Sequence, residues 1–366
     1  MVDRFAYIPN EEKQKHFNKL NAYRESLFKH PDLQQLFIEM TINCNEHCLH
    51  CGSNCGVDAE NDVPLTDIEI LDFLTDLKTK VNKLPFLDIT GGEPLLRPNF
   101  IRLMKIIKSL GYKWGMTSNG LLINESTAKA LKDAGMSSVS ISLDGTEEVH
   151  NWFRQNPHAY ELTIRAIKNL AKVGFKDVMV TTVVHPRNID YLDDIKKVVL
   201  STGCTTWRIS TLDPIGRALK NKDLYLDTKQ YKYMIDYIVQ EREKDDINVI
   251  TGCNYYLGLD YERKVRPWYF FCQCGLKVAA IQYNGNITGC LDIERRPELV
   301  FGNIRTDNFY DVWLNKFSIF RQNKEDLSSK CSECDAKGNC HGSGWHTWNF
   351  DTNEPIECLY KRFNKE

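Results

Sequence analysis

Cys44-Asn45-Glu46-His47-Cys48-Leu49-His50-Cys51 follows an apolar run, Leu36-Phe37-Ile38-Glu39-Met40, that has the character of a strand. Three cysteines at C-x3-C-x2-C spacing can hold three irons of a cubic cluster. A [4Fe–4S] cluster normally takes four thiolates, so this spacing leaves one iron open to bind and activate a small molecule. A closed zinc site also needs four ligands. No fourth cysteine stands at zinc-knuckle spacing, so His47 or His50 would have to complete a Cys3His set. On this loop alone both readings stay open.

A second stretch separates them. Phe86-Leu87-Asp88-Ile89-Thr90-Gly91-Gly92-Glu93-Pro94 reads as a strand followed by two glycines, a carboxylate and a proline. Two glycines let a ligand lie against the backbone, Glu93 offers an anionic acceptor for an ammonium group, and Pro94 stiffens the turn. The two motifs, in this order after successive strands, together resemble the radical S-adenosylmethionine (SAM) enzymes. The resemblance implies that Cys44, Cys48 and Cys51 hold a [4Fe–4S] cluster whose open iron is chelated by the amino and carboxylate groups of SAM. It also implies that Gly91, Gly92, Glu93 and Pro94 hold the amino end. One electron would then cleave the sulfonium, and a 5′-deoxyadenosyl radical would abstract hydrogen from a substrate.

The bulk numbers agree with a soluble enzyme. A chain of 366 residues can build a large core, with a soft prior of about two to three domains. Hydrophobic residues at 42% and charged residues at 26% are ordinary for a globular protein. A formal net charge of −2 gives no footprint for nucleic acid or an anionic membrane. No apolar run reaches ~18 residues, and the first residues lack the apolar core of a signal peptide. Thirteen cysteines, an odd number clustered at short spacings, argue for metal or cluster ligation in a reducing cytoplasm and against a disulfide scaffold.

Residues 1–34 predict an N-terminal helical extension, too short for a complete peptide-binding winged helix. Strand signals at 36–41, 86–90, 113–117, 138–143, 177–184 and 205–211 then alternate with helical ones near 66–83, 98–110, 124–134, 159–173, 188–201 and 227–244. Ile68, Leu71, Leu74 and Leu77 give one helix its apolar spacing. Thr66 with Glu69 predicts a capping box, and Gly111, Gly135 and Gly174 predict left-handed C-caps. Six strand–helix repeats imply a parallel sheet short of the eight of a closed barrel. The expected fold is therefore α/β: a partial (β/α)6 TIM barrel over 35–220, a connecting helix over 221–250, and a small cysteine-rich α+β domain over 251–366.

Ligands gather at the carboxyl ends of such strands, where both motifs sit. Further polar strand ends are Thr117-Ser118-Asn119-Gly120, Ser140-Ile141-Ser142-Leu143-Asp144-Gly145 with Arg154 beyond, and Pro214-Ile215-Gly216-Arg217. The family resemblance implies that Asn119 and Ser142 contact the ribose or methionyl carboxylate and that Arg154 pairs with a carboxylate. Turn chemistry and a solvated arginine are the plain alternatives.

From Cys253 onward the composition changes. Cys253, Cys272, Cys274 and Cys290 precede Cys331-x2-Cys334-x5-Cys340, with Cys358 after them, and Asn284-Gly285 reads as a hairpin turn. This pattern resembles the SPASM extension of radical SAM enzymes, which holds two auxiliary [4Fe–4S] clusters and typifies peptide- and protein-modifying members. By that resemblance Cys331, Cys334, Cys340 and Cys358 hold the second cluster, and Cys290 belongs to the first. Gly344 stands where the family usually has a further cysteine, so the first cluster must draw on Cys253, Cys272 and Cys274, use His341 or His346, or leave an iron open. Asp292 is the nearest carboxylate for a catalytic base; it is offset by one residue from the position relatives use, which on a strand would turn it to the opposite face. The helix start at Asp307–Trp313 is expected to pack the two cluster modules together, and Cys55 and Cys204 to be ordinary thiols.

These readings imply a cytoplasmic, peptide-maturase-like enzyme that abstracts hydrogen from a peptide or protein, leading to crosslinking, oxidation or epimerisation. The substrate could be presented by a separate leader-binding protein, and a low-potential donor such as flavodoxin or ferredoxin would supply electrons. Oxidation or rearrangement of a small alcohol or sugar is the alternative within enzymes, and a zinc-ribbon scaffold is the alternative outside them.

Overall fold

The computed structural model describes residues 8–56, 62–252 and 255–364. Six parallel strands form the centre: β1 (Gln35–Glu39), β2 (Phe86–Thr90), β3 (Trp114–Ser118), β4 (Met136–Ser142), β5 (Val178–Val184) and β6 (Thr206–Thr211). They alternate along the chain with outer helices. A first helix, α1 (Asn10–Lys29), precedes β1. Then come α2 (Asp67–Lys80), α3 (Phe100–Ser109), α4 (Glu125–Asp133), a short α5 (Glu147–Arg154), α6 (Ala159–Lys172), α7 (Leu192–Ser201) and α8 (Thr228–Lys244). The strands alternate as a two-faced sheet requires. Leu36, Ile38, Leu87, Ile89, Val180 and Ile209 turn outward and are buried beneath the helices, and polar residues between them face an interior.

The expected capping box at α2 is present, with the Thr66 backbone N–H donating to Glu69 Oε2 at 2.7 Å and the Glu69 N–H donating back to Thr66 Oγ1 at 3.2 Å. Gly111, Gly135 and Gly174 all sit at positive φ after their helices. The buried stripe of α2 differs from the expected one. Ile70, Phe73, Leu74 and Leu77 face the core, whereas Ile68 is 70% exposed. Steps of three residues drift about 60° each round a helix, so Ile68 ends up about 180° from Leu77, on the solvent face.

Two parallel strands were not foreseen. β7 (Asn248–Thr251) pairs with β6, and β8 (Val278–Ile281) pairs with the other edge of β1, from Gln35↔Val278 to Ile38↔Ile281. The Asn284-Gly285 turn joins β8 to β9 (Asn286–Thr288), which pairs with β10 (Gly302–Asn303). The ten strands run β10-β9-β8-β1-β2-β3-β4-β5-β6-β7, so the sheet remains open between β7 and β10. It is also curled. Asp88 on β2 feels the charge of Arg208 on β6, although four inter-strand steps would separate them by about 19 Å in a flat sheet. The fold is a partial α/β barrel with a cysteine-rich C-terminal region added to its first strand.

That region is fastened in two further places. Helix α1 lies against it: Phe17 is fully buried between the rings of Tyr256 and Tyr269, at 5.7 and 4.6 Å, and Arg24 donates to Asn323 Oδ1 at 2.7 Å. Helix α9 (Phe309–Asn315) docks on barrel helix α2, with Phe309 and Phe73 edge to face at 5.2 Å. The segment expected to join the two cysteine modules therefore joins the C-terminal region to the barrel, because Phe309 meets the α2 core face first. Phe309 is 3% exposed. Phe309→Ala should cost about 3–5 kcal/mol, read as a lowered denaturation midpoint of the cluster-loaded protein; an unchanged midpoint would show that this joint carries no stability.

Candidate functional site

The cysteine loop hangs from the carboxyl end of β1 and is held chiefly by its own carbonyls. Arg97 donates to Met40 O, just ahead of the loop, at 2.8 Å. Arg217 donates through Nε to Cys48 O at 2.8 Å and through its backbone N–H to Cys51 O at 3.0 Å. Arg154 reaches the Cys48 sulfur at 3.6 Å and Glu46 at 3.7 Å. All three arginines are under 10% exposed. Asp144 fixes Arg154, accepting from Nε at 2.7 Å, and is itself held by the Val183 N–H at 2.8 Å. Arg154 therefore pairs with the protein's own carboxylate, and the free guanidinium expected for a ligand is already engaged.

Cys44, Cys48 and Cys51 lie within electrostatic reach of one another. Burial pushes the Cys44 thiol up to about 11 and Cys48 further. Cys51 is pulled down to about 5, chiefly because Cys55 donates to it. Cys55, expected to be an ordinary thiol, thus supports a ligand position. His50 stacks flat on Phe153 at 4.1 Å, and burial lowers its pKa well below the ordinary value. Three convergent thiols ringed by buried cations fit an anionic iron–sulfur cluster.

The glycine segment runs alongside this loop. Gly92 N–H donates to Thr41 O at 2.8 Å and Glu93 N–H to Asn43 O at 2.9 Å. A Cβ at Gly91 would stand 2.4 Å from Thr41 O, and one at Gly92 would stand 2.1 Å from Asn43 O. On that side the glycines make room for the cluster loop's own backbone, a correction to the expectation that they admit a ligand there. Glu93 is fully buried and accepts from Ser118 Oγ at 3.0 Å and from the Asn119 N–H at 3.0 Å; burial raises it to about 7. Its carboxylate ties the second strand end to the third, with Pro94 opening the helical turn behind it. Asn119 continues the link, donating to Asn45 Oδ1 at 2.8 Å with Cys44 Sγ at 4.0 Å. Ser142 is half-buried at the end of β4.

Below the loop the curled sheet encloses a polar lumen. Asp88 and Asp292 both feel Arg208, Asp213 feels Asp292, and His346 Nε2 lies 4.0 Å from Asp213 Oδ1. Burial raises all three carboxyls, Asp88 to about 7, and drops His346 to about 3. Asp292 was expected on the outer surface. Residues 290–293 form a turn, so the alternation of a strand does not apply, and Asp292 is solvent-accessible yet walled in by the lumen. His346 folds over Gly344, its ring atoms 2.5–3.0 Å from where a Cβ at Gly344 would stand. The position left open by the missing cysteine is thus filled by imidazole.

The remaining cysteines form two sets. Cys331, Cys334, Cys340 and Cys358 line one cavity. Cys272, Cys274 and Cys290 lie within electrostatic reach of one another, and Gly289 is packed against Cys274 Sγ; Cys253 lies outside the described residues. His341 is engaged at both ring nitrogens, by Glu325 at 2.7 Å and Asn21 at 2.8 Å, which removes it as a ligand here. Both sets present the soft thiol donors that iron–sulfur clusters take. Sequence reading missed Arg97 and the lumen residues Asp88, Arg208 and Asp213, and gave Asp144 and Arg217 no role in holding the loop. Only Asp144-Gly145 and Gly216-Arg217 carried a signal, as polar strand ends.

Comparison with known proteins agrees with this geometry. Residues 38–199 match the radical SAM superfamily, and residues 272–335 match the SPASM iron–sulfur cluster-binding domain. The chain is 27% identical over 345 residues to an AdoMet-dependent heme synthase of Oleidesulfovibrio alaskensis, covering 89% of this chain and 86% of that one. It is 29% identical over 324 residues to the mycofactocin maturase MftC of Mycobacterium ulcerans, covering 87% and 84%. Its fold resembles Streptococcus suis SuiB bound to the precursor peptide SuiA, with a TM-score of 0.66 and 19% identity over 88% of this chain and 75% of that one. Among the described residues no helix is long and apolar enough to cross a membrane.

Two outcomes follow from the site. Gly92→Ala places a methyl against Asn43 O and should detach the loop, with iron falling by about four atoms per chain; full iron content and unchanged SAM affinity would refute the close approach. Asp88 titrates near 7, above its ordinary ~3.9, so the stability of its neutral form is complete at low pH and lost as pH rises through about 7. The thermal midpoint of Asp88→Asn should therefore gain on the parent between pH 5.5 and 8, and a constant difference would reject the assignment.

Proposed function

Because this chain is a radical SAM protein with a C-terminal SPASM domain, we propose that it binds SAM at the Cys44–Cys48–Cys51 cluster and acts on a peptide or protein held in the barrel lumen. When bound, the cluster and SAM supply a 5′-deoxyadenosyl radical able to take hydrogen from an unactivated carbon. Cys44, Cys48 and Cys51 would hold the iron, while Arg97, Arg154 and Arg217 fix the loop and the charges of Arg154 and Arg217 oppose that of the thiolates. Asn119 and Ser142, at neighbouring strand ends, are placed to contact the cofactor. Cys331, Cys334, Cys340 and Cys358 would hold one auxiliary cluster, and Cys272, Cys274 and Cys290, with Cys253 as a candidate fourth, the other.

The observation that carries the substrate reading is the lumen. Asp88, Asp213, Asp292, Arg208 and the neutral imidazole of His346 give it donors and acceptors suited to a peptide's amides and side chains. Asp213 and Asp292, which burial shifts toward their neutral form, would exchange a proton with the substrate. The heme synthase relatives support the small-molecule reading instead. SuiB in complex with its precursor peptide and the mycofactocin maturase support the peptide reading at the level of fold and sequence. A flavodoxin or ferredoxin would serve as donor, and a separate leader-binding protein could present the peptide.

Anaerobically reconstituted, reduced protein should convert SAM to 5′-deoxyadenosine, and Cys48→Ala should abolish that. With the right peptide, taken from small open reading frames encoded beside the gene, the peptide mass should change, and Asp213→Asn should slow this at least tenfold while leaving SAM cleavage intact. No 5′-deoxyadenosine from a fully loaded sample would end the reading. A mass change in a porphyrin precursor with none in any peptide would replace it with the small-molecule alternative.

A further inference from the structure

Lys324 is 2% exposed, and its ammonium has no hydrogen-bond partner among the described residues. It lies 4.5 Å from the ring centre of Trp345 and 4.8 Å from that of Trp348. Its charge reaches Cys272 and Cys274 on one side and Cys340 on the other, so it stands between the two cysteine sets of the C-terminal region. Stripping an ammonium of water with no acceptor in reach carries a large penalty. Two indole faces offset only part of it.

None of the other charged groups nearby comes within hydrogen-bond distance of this ammonium. Arg24, whose charge also reaches Cys272, adds repulsion and is tied to Asn323 Oδ1 at 2.7 Å and Gln322 O at 3.2 Å. Glu325 is paired with His341 at 2.7 Å. The Trp348 indole N–H, 2% exposed as a residue, is a second buried donor without an acceptor in the same place. Two orphaned donors between two thiol sets lack one thing, which is anionic sulfur. Cluster thiolates and sulfides accept hydrogen bonds, and a [4Fe–4S] core with thiolate ligands carries net negative charge that nearby cations and donors stabilise most in the reduced state.

We propose that Lys324 is a shared counter-cation for the two auxiliary clusters, held between them by Trp345 and Trp348, and that it raises the reduction potential of both. Lys324 is a positioning residue in this scheme: it touches neither SAM nor substrate, and it sets how readily each cluster accepts an electron. The inference rests on the reading that both cysteine sets hold iron. Iron analysis that finds only the SAM-site cluster would fail that reading and leave the lysine aside.

The test is a redox titration of the fully loaded protein followed by electron paramagnetic resonance, without substrate, the SAM-site cluster being recognised by its response to added SAM. Lys324→Met, which keeps the apolar stem and removes the charge, should lower the midpoints of both auxiliary clusters and leave the SAM-site midpoint unmoved. Lys324→Arg should keep both near the parent values. Should the Met protein fail to retain iron, Lys324→Gln carries the same measurement, and iron loss in both neutral variants with retention in the Arg variant would also support the charge requirement. Unchanged auxiliary midpoints in a neutral variant, or equal shifts in the Met and Arg proteins, would overturn the proposal.

Discussion

Everything at the mouth of the barrel depends on three buried guanidinium groups gripping one irregular loop. A segment that must present three sulfurs to one point cannot also be a helix or a strand, so its carbonyls have no regular partners. Buried polar groups left unpaired are costly; Arg97 and Arg217 satisfy carbonyls of this segment from two different strand ends, and Arg154 holds the Cys48 sulfur and the Glu46 carboxylate from a third. Arg154 and Arg217 also offset the charge that a thiolate-bound cluster brings. One set of contacts thus serves geometry and electrostatics together. The close glycine backbone at 91–92 completes the grip by sewing the loop to the end of β2.

The lumen follows from the sheet's curl and from the period of its strands. Outward residues are apolar and lie under helices, while inward ones include Asp88, Ser142, Thr181 and Arg208. In a closed eight-stranded barrel the interior fills with side chains. Here the sheet stays open between β7 and β10, and the C-terminal region contributes Asp292 and His346 to the space. The cavity is a joint product of the two parts of the chain, and its acidic balance narrows what it would accept.

The sequence was most legible where chemistry and local pattern coincide. The cysteine loop, the Gly91-Gly92-Glu93-Pro94 turn, the capping box at Thr66 and the six strand–helix repeats all depend on near neighbours, and the structure forms them within a few residues of the expected places. What escaped was non-local. The pairing of β8 with β1 joins residues about 240 positions apart and leaves no periodic trace. Arg97 looks like a solvated arginine until the loop it holds is seen. Asp292 stands on a turn where a strand was assumed, and Ile68 lies opposite Leu77 because successive three-residue steps drift about 60° round a helix. Lys324 had no signal at all, since its burial is set by two tryptophans further along the chain and by two cysteine sets that converge only on folding.

The pairing of β8 with β1 also bears on synthesis. β1 leaves the ribosome well before β8, so one of its edges waits for a strand some 240 residues later. A half-made barrel would emerge with an open, apolar strand edge, the sort of template on which chains stick to one another. High sequence separation between partners also slows folding. Such a chain cannot mature one piece at a time in the order it is made, and helpers that shield nascent strands or hold back iron delivery until β8 has emerged would matter more for it than for a protein whose halves close separately.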